Sequence, residues 1–239
     1  MIYAGTSGYS FREWVGSFYP PKTPSKEYLG FYASRLNSVE INHTFRRFPS
    51  GKLLESWAAV TPPSFRFSVK MHQSVTHTAR LKSVGDSLED FLEALKPLGP
   101  RMGVVLFQLP PYFRANLERL ERFLEELPAG KKYAVEFRHP SWEQAAVTDR
   151  LREAAVALCA AEVGIGEGRL VPTAPHAYVR LRKTPPYSDE EIRLVGGQLQ
   201  VIADQVEEIY LYVKHDDAGL APDAVRRIQA LSSQGEEES

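Results

Sequence analysis

An α/β fold, a single (β/α)8 barrel of the TIM type with its pocket at the C-terminal ends of the strands, is predicted by three features of the 239-residue sequence. Short apolar strands and amphipathic helices alternate about eight times, at spacings of roughly 25–35 residues. The length suits one such barrel, which typically needs about 250 residues. Polar and ionisable residues recur at the C-terminal ends of the strands, where a parallel α/β fold keeps its chemistry. No linker-like shift in composition divides the chain, so residues 1–239 read as one domain, with 235–239 a frayed acidic tail.

The elements follow in order. Ile2–Thr6 is a first strand, followed by the turn Gly5-Thr-Ser-Gly8 and an aromatic loop with Phe11, Trp14, Phe18 and Tyr19. Ser25–Arg35 alternates at helical spacing, and Ser38–Phe45 opens as a strand. Gly51–Val60 is a helix stopped by Pro62-Pro63. Phe65–Lys70 is a strand leading into a polar loop, Met71–His77, and Asp86–Leu95 is a helix with Asp86 as N-cap. Gly103–Gln108 is the most apolar strand, Asn116–Leu127 a helix, and Tyr133–Phe137 the next strand. A helix over Trp142–Arg152 and a strand over Ala155–Ala161, ending at Glu162, come next. Gly164-Ile-Gly-Glu-Gly168 is a flexible loop, since no strand-to-helix context makes it a phosphate cradle. His176–Arg182 is a strand, Asp189–Val206 a helical stretch interrupted at Gly196-Gly197, Glu208–Lys214 the last strand and Leu220–Leu231 the closing helix.

Side chains alternate between the faces of a strand, so each strand divides into an outer and an inner set. In the fifth strand Tyr133, Val135 and Phe137 face out, while Ala134, Glu136 and Arg138 face in. The second strand sends Glu40 and Asn42 inward, the third Lys70 and the fourth Gln108. The seventh sends Tyr178, Arg180 and Arg182, and the eighth Tyr212 and Lys214. An interior built for stability alone would be Val, Ile and Leu. A Glu–Arg pair plugging the barrel end explains one such strand, but this many polar ends from separate strands predict a pocket.

Glu40 and Glu136 are candidate general acid–base groups, with Lys70 and His77 as further catalytic candidates. The cations Lys70, Arg138, Arg180 and Lys214 outnumber the two carboxylates and suit phosphate or carboxylate. Asn42, Gln108, His139, Trp142 and Tyr178 complete the expected substrate-binding set. A divalent ion held by Glu40, His43 and Glu136 is the metal option, although His72 and His77 make no ligand signature.

Composition narrows the classes. The net charge of −1 gives no support to a generic nucleic-acid binder, but residues 1–85 carry 11 Lys and Arg against four acids. One cysteine, Cys159, excludes an intramolecular disulfide and a Cys-based zinc site, and reads as a buried core residue. No basic leader and no long apolar run is present, so a cytoplasmic location and no membrane partner are expected.

Several of these stretches carry a resemblance. Gly5-Thr-Ser-Gly-Tyr9, Val39-Glu-Ile-Asn-His-Thr-Phe45, Phe67-Ser-Val-Lys70, Leu106-Phe-Gln-Leu-Pro-Pro111, Val135-Glu-Phe-Arg-His139 with Ser141-Trp142, and Tyr178-Val-Arg-Leu181 resemble, in order, the motif set of the YecE-like family. The resemblance implies a TIM-type barrel and no established reaction. By fold analogy alone, it places the chain beside apurinic endonucleases and sugar isomerases. The sequence departs from the family pattern at Arg46, at Glu162 and at Lys214-His215-Asp216. The expectation is therefore an enzyme acting on a phosphorylated or other anionic substrate, nucleic acid included. A non-catalytic nucleic-acid binder, and an enzyme or sensor for a small sugar phosphate or carboxylate, stand beside it.

Overall fold

The structure, a computed structural model, describes residues 1–162 and 169–234, with side chains to residue 231. Eight parallel strands form one sheet: β1 (Ile2–Thr6), β2 (Ser38–Ile41), β3 (Arg66–Lys70), β4 (Met102–Gln108), β5 (Lys132–Glu136), β6 (Ala157–Ala161), β7 (His176–Leu181) and β8 (Glu208–Val213). The hydrogen-bonded order runs β1-β8-β7-β6-β5-β4-β3-β2, which is a TIM-type barrel with a single seam left between β1 and β2.

Side chains close that seam. Asn37 accepts the Ala4 amide at 2.8 Å and donates to the Ile2 carbonyl at 2.9 Å, imitating one residue of a strand partner. The Tyr32 hydroxyl accepts from the Thr6 amide at 2.8 Å and donates to the Ser38 carbonyl at 3.0 Å. Gly5 permits the approach: a Cβ there would stand 1.8 Å from the Ser38 oxygen. Backbone groups that would be orphaned in a buried position are thereby satisfied.

Among the described residues, seven α-helices surround the sheet: α1 (Tyr28–Ala33), α2 (Gly51–Val60), α3 (Gly85–Leu95), α4 (Leu117–Glu125), α5 (Ala145–Glu153), α6 (Asp189–Ala203) and α7 (Ala221–Gln234). Among the described residues no helix joins β6 to β7, where the sequence reading places a loop. Instead Thr173 runs back along β6, its hydroxyl donating to the Val156 carbonyl and accepting from the Leu158 amide. The Gly-rich loop at 164–168 and the acidic tail at 235–239 lie outside the described residues.

Several helix boundaries depart from the sequence expectation, each for a local reason. Trp142 precedes α5 in a separate short turn, Pro140–Trp142, capped by the His139 side chain. The helix α6 runs unbroken through Gly196-Gly197. Gly196 is buried against α7, where an added Cβ would meet Leu231 at 3.4 Å, so packing outweighs the intrinsic cost of glycine. Asp86 lies inside α3 rather than capping it; the Val84 amide at the cap donates to Glu126. The polar loop after β3 coils into a π-turn over Ser74–Thr78.

The larger apolar core fills the layer between strands and helices, with Phe65, Phe67, Phe91, Phe107 and Phe123 all fully buried. The barrel interior is different. Tyr3, Tyr178, Tyr210 and Tyr212 dominate it, beside Val104, Leu106 and Cys159. Buried tyrosines need partners for their hydroxyls. Tyr212 pairs with Ser38 and Ser68, each at 2.7 Å, and Tyr178 donates to Glu40 at 2.8 Å. The interior is polar by design of its strands, and that polarity leads upward to the C-terminal mouth.

Candidate functional site

The period of two along each strand delivers one ionisable or amide group to a common level at the C-terminal end: Glu40 from β2, Lys70 from β3, Gln108 from β4, Glu136 from β5 and Arg180 from β7. These five form one continuous hydrogen-bonded chain. Lys70 Nζ donates to Gln108 Oε1 at 2.6 Å, and Gln108 Nε2 donates to both oxygens of Glu136 at 2.9 Å. Arg180 then bridges the carboxylates, Nη1 to Glu136 at 2.6 Å and Nη2 to Glu40 at 2.9 Å.

Glu40 is fully buried and its oxygens are spent. Oε1 accepts from Ser7 Oγ at 2.9 Å, Asn42 Nδ2 at 3.0 Å and Arg180; Oε2 accepts from the Tyr178 hydroxyl. Burial pushes its pKa upward, but Arg180 and these hydrogen bonds more than offset it, and the carboxyl is held below its ordinary range. Arg180 loses solvation in the same place. The flanking Glu40 and Glu136 outweigh that loss and hold the guanidinium protonated. Its Nε has no partner and is buried.

Lys70 is perturbed in the useful direction. Burial first, and Arg180 second, lower its amine to about 8, with Glu40 and Glu136 opposing. It rests over the Phe45 ring at 4.2 Å from the centroid. His77 stands edge-on to the same ring, and burial together with Lys70 and Arg138 lowers its pKa. Burial also lowers that of His43, which stands edge-on to Trp57.

Above this layer opens a cavity of about 780 Å³, within the size range of small-molecule sites. Asn42, Gln108, Arg138, Arg180 and Lys214 line it, as expected from the sequence, and so does His43. Glu40, Glu136, Lys70, Tyr178 and His77 do not reach its lining; the first four lie just beneath, tied to the residues that do. His139 and Trp142 are elsewhere. His139 Nδ1 accepts the Ser141 amide, while Trp142 is buried against Phe137 and donates to the Phe113 carbonyl at 2.8 Å.

Four contributors lie outside the expected site set. Ser7 reaches Glu40 because β1 and β2 form a single bridge there. Arg182 lines the cavity and approaches Glu136 at 3.3 Å; its shared face with Arg180 was the available signal. Phe11 and His215 stack at 4.5 Å on the opposite rim, a pairing between the two ends of the chain that no local pattern reveals.

The metal option can be tested on the donors. Among the described residues no group of three His, Cys, Asp or Glu side chains is placed to hold an ion. The space between Glu40 and Glu136 is taken by the Arg180 guanidinium, and His43 faces Trp57. These residues do not fit the expected ligand set.

A TIM-type barrel with a polar, cation-rich C-terminal mouth is the class defined so far. The chain belongs to the DUF72 family, described as a protein of unknown function, whose family model matches residues 3–239. It is similar to the protein YecE of Escherichia coli K12, with 35% identity over 143 residues, 59% of this chain and 50% of that one. YunF of Bacillus subtilis 168 is 34% identical over 150 residues, 59% of this chain and 52% of YunF. The matched region thus spans about half the length of these curated relatives. A crystal structure of a DUF72 family protein from Thermotoga maritima superposes with a TM-score of 0.85 at 27% identity, covering 98% of this chain and 99% of that one. Among the described residues, no helix is long and apolar enough to cross a membrane.

Proposed function

We propose that this protein is an enzyme acting on a small anionic substrate, a phosphate ester or a carboxylate, held at the C-terminal mouth. The sorting of charge carries this reading. Both inner carboxylates are buried and consumed by Arg180, whereas Arg138, Arg182 and Lys214 face the cavity. Glu162, whose carboxylate accepts from the Arg182 amide, does not line the cavity. Guanidinium groups suit the two-oxygen geometry of phosphate and carboxylate.

In this reading the roles of the inner residues shift. Glu40 and Glu136 are positioning residues that fix Arg180, and Gln108 couples that anchor to Lys70. Lys70, with an amine lowered to about 8, is the group able to change charge near neutral pH; it lies beneath the lining and acts on a bound anion through Gln108. His77, edge-on to the Phe45 ring, feels the Lys70 charge, which helps to lower its pKa, and is not placed on the cavity wall. A polymer reading would need a basic groove running out of the mouth. Arg46, Arg47 and Arg80 are exposed but do not line the cavity, which favours a small ligand.

The test is calorimetry at low ionic strength with inorganic phosphate, sugar phosphates and dicarboxylates, on wild type, Arg138→Ala and Lys214→Ala. Each replacement should weaken the best anion about tenfold, the loss of roughly one charge-assisted hydrogen bond. No anion bound by wild type, or affinity untouched in both variants, overturns the reading. Steeply salt-dependent nucleic-acid binding that disappears with Arg46→Ala and Arg47→Ala would move the function to a polymer.

A further inference from the structure

The cavity is not uniform around its rim. Gln108 and Arg180 come from β4 and β7, with Arg138, Arg182 and Lys214 just past the ends of β5, β7 and β8. Tyr9, Phe11, Leu53, Trp57 and His215 come from the loop after β1, from α2 and from the loop after β8. In an eight-stranded barrel β1 stands across from β5 and β2 across from β6. The Tyr9–Phe11 side of the aromatic wall therefore stands across the opening from Arg138 in the cationic arc, while Lys214 adjoins His215 and the β7 arginines lie between.

That wall is organised rather than incidental. Phe11 and His215 lie nearly parallel, 10° apart with centroids at 4.5 Å. Trp57 receives Tyr9 edge-on at 6.2 Å and His43 edge-on at 5.6 Å. The loop after β8 is pinned next to His215: the buried Asp216 carboxylate accepts the Ala218, Leu220 and Ala221 amides at 2.7–3.0 Å. The Asp216 carbonyl in turn accepts the Trp14 indole N–H at 2.6 Å, fixing this loop to the Phe11 loop. Trp57 is buried and stacked on Phe67, anchoring the wall, while Tyr9, Phe11 and His215 are partly exposed and present ring surface to a ligand.

We infer that the substrate is bipartite: an anionic group on the cationic arc, joined to a ring that packs on the Phe11–His215–Trp57 wall. This rests on the anionic-substrate reading above and adds a substrate class to it. The ring is a heteroaromatic base or the disc of a sugar; both offer a flat face to aromatic side chains, and the arms of the test separate them. Phe11 and His215 are then specificity residues, acting on the ring and not on the anion.

Calorimetry at one low ionic strength with inorganic phosphate, ribose 5-phosphate, glucose 6-phosphate, uridine and adenosine 5′-monophosphates, and adenosine tests this. A ring-bearing phosphate should bind at least about tenfold tighter than inorganic phosphate, the gain expected of one stacked ring. Phe11→Ala should abolish that gain while leaving inorganic phosphate within about twofold; Arg138→Ala should weaken both. His215→Ala, whose loss leaves the Phe11–Trp14 contact in place, is the second variant should Phe11→Ala unfold. Tight nucleotide binding with weak sugar phosphate binding assigns a base, and the reverse assigns a sugar. Ring-bearing phosphates no tighter than phosphate, or a gain that survives both wall variants, overturns the inference and leaves the anion site standing. Failure of every anion, inorganic phosphate included, takes down the anion site itself.

Discussion

The two ends of the barrel interior both carry charged side chains, partly exposed at the N-terminal end and buried at the C-terminal end, and the C-terminal end faces the cavity. At the N-terminal end Lys132 pairs with Glu208, which also accepts the Tyr210 hydroxyl at 2.9 Å. Tyr210 stacks on Tyr3 at 5.0 Å, and Arg66 covers the Tyr3 ring while donating to the Pro63 and Phe65 carbonyls. Both of these cations have a carboxylate, ring or carbonyl in contact. At the C-terminal end the carboxylates are more deeply buried, yet cations remain at the cavity surface; the nearest carboxylate oxygen to Arg138 is 4.0 Å away. Charge inside a barrel is therefore a weak sign of function. Cations left loosely partnered on a cavity wall are a stronger one.

The largest expected effect breaks this comparison at its ion pairs. Arg180→Met strands two buried carboxylates and should cost about 3–5 kcal/mol, lowering the thermal midpoint by roughly 6–20 °C. Lys132→Met removes a half-exposed partner, its side chain 42% accessible, and should cost about 1 kcal/mol or less. Calorimetric or circular-dichroism melts of both variants decide. Equal shifts would mean that the two ends are energetically alike, and the structural contrast would carry no weight.

The sequence made much of this visible, for a stated physical reason. A period of two fixes which residues share a face, so Glu40, Lys70, Gln108, Glu136 and Arg180 were legible as an inward ring before any coordinates. What was not legible depends on distances across the barrel. Nothing in the chain order says that Arg180 reaches both Glu40 and Glu136, or that this satisfies the carboxylates and removes them as free bases. Trp142 illustrates the converse error. Its place beside Arg138 and His139 suggested a ligand contact, but its indole finds the Phe113 carbonyl and its ring stacks on Phe137. The stretch through Gly196-Gly197 failed similarly, because the close approach of Leu231 is a tertiary fact that overrides local propensity.

A middle-sized effect sharpens the comparison through pH. The folded-state pKa of Glu40 lies below its ordinary value of 4.5, so between those values the unfolded chain takes up a proton that the folded chain does not. Stability is present above 4.5 and is lost as pH falls through the folded value. Glu40→Gln should cost about 1–3 kcal/mol at pH 7. It should then show a flatter decline than wild type between pH 5 and 3. Urea midpoints across that range would reveal it, and an unchanged slope would place the acid sensitivity elsewhere.

The smallest effect on stability is expected at Lys70, and its sign separates a working residue from a structural one. With its amine lowered to about 8, the folded protein holds fewer protons than the unfolded chain between about 8 and 10.5, so wild-type stability should rise with pH across that window. Lys70→Met should erase this rise. At pH 7 it removes a cation that its surroundings disfavour, so the melting midpoint should hold or increase slightly, by no more than about 1 kcal/mol because the amine is partly exposed. Anion affinity should behave oppositely: weaker in the variant at pH 7, and in wild type declining as pH rises through 8 while the variant stays flat. Loss of binding with stability retained or gained is the pattern of a group held in an unfavourable state for its chemistry. A Lys70→Met protein destabilised by several kcal/mol would instead make Lys70 a brace for Gln108 and Glu136, and any pH dependence of binding would belong to another group at the mouth.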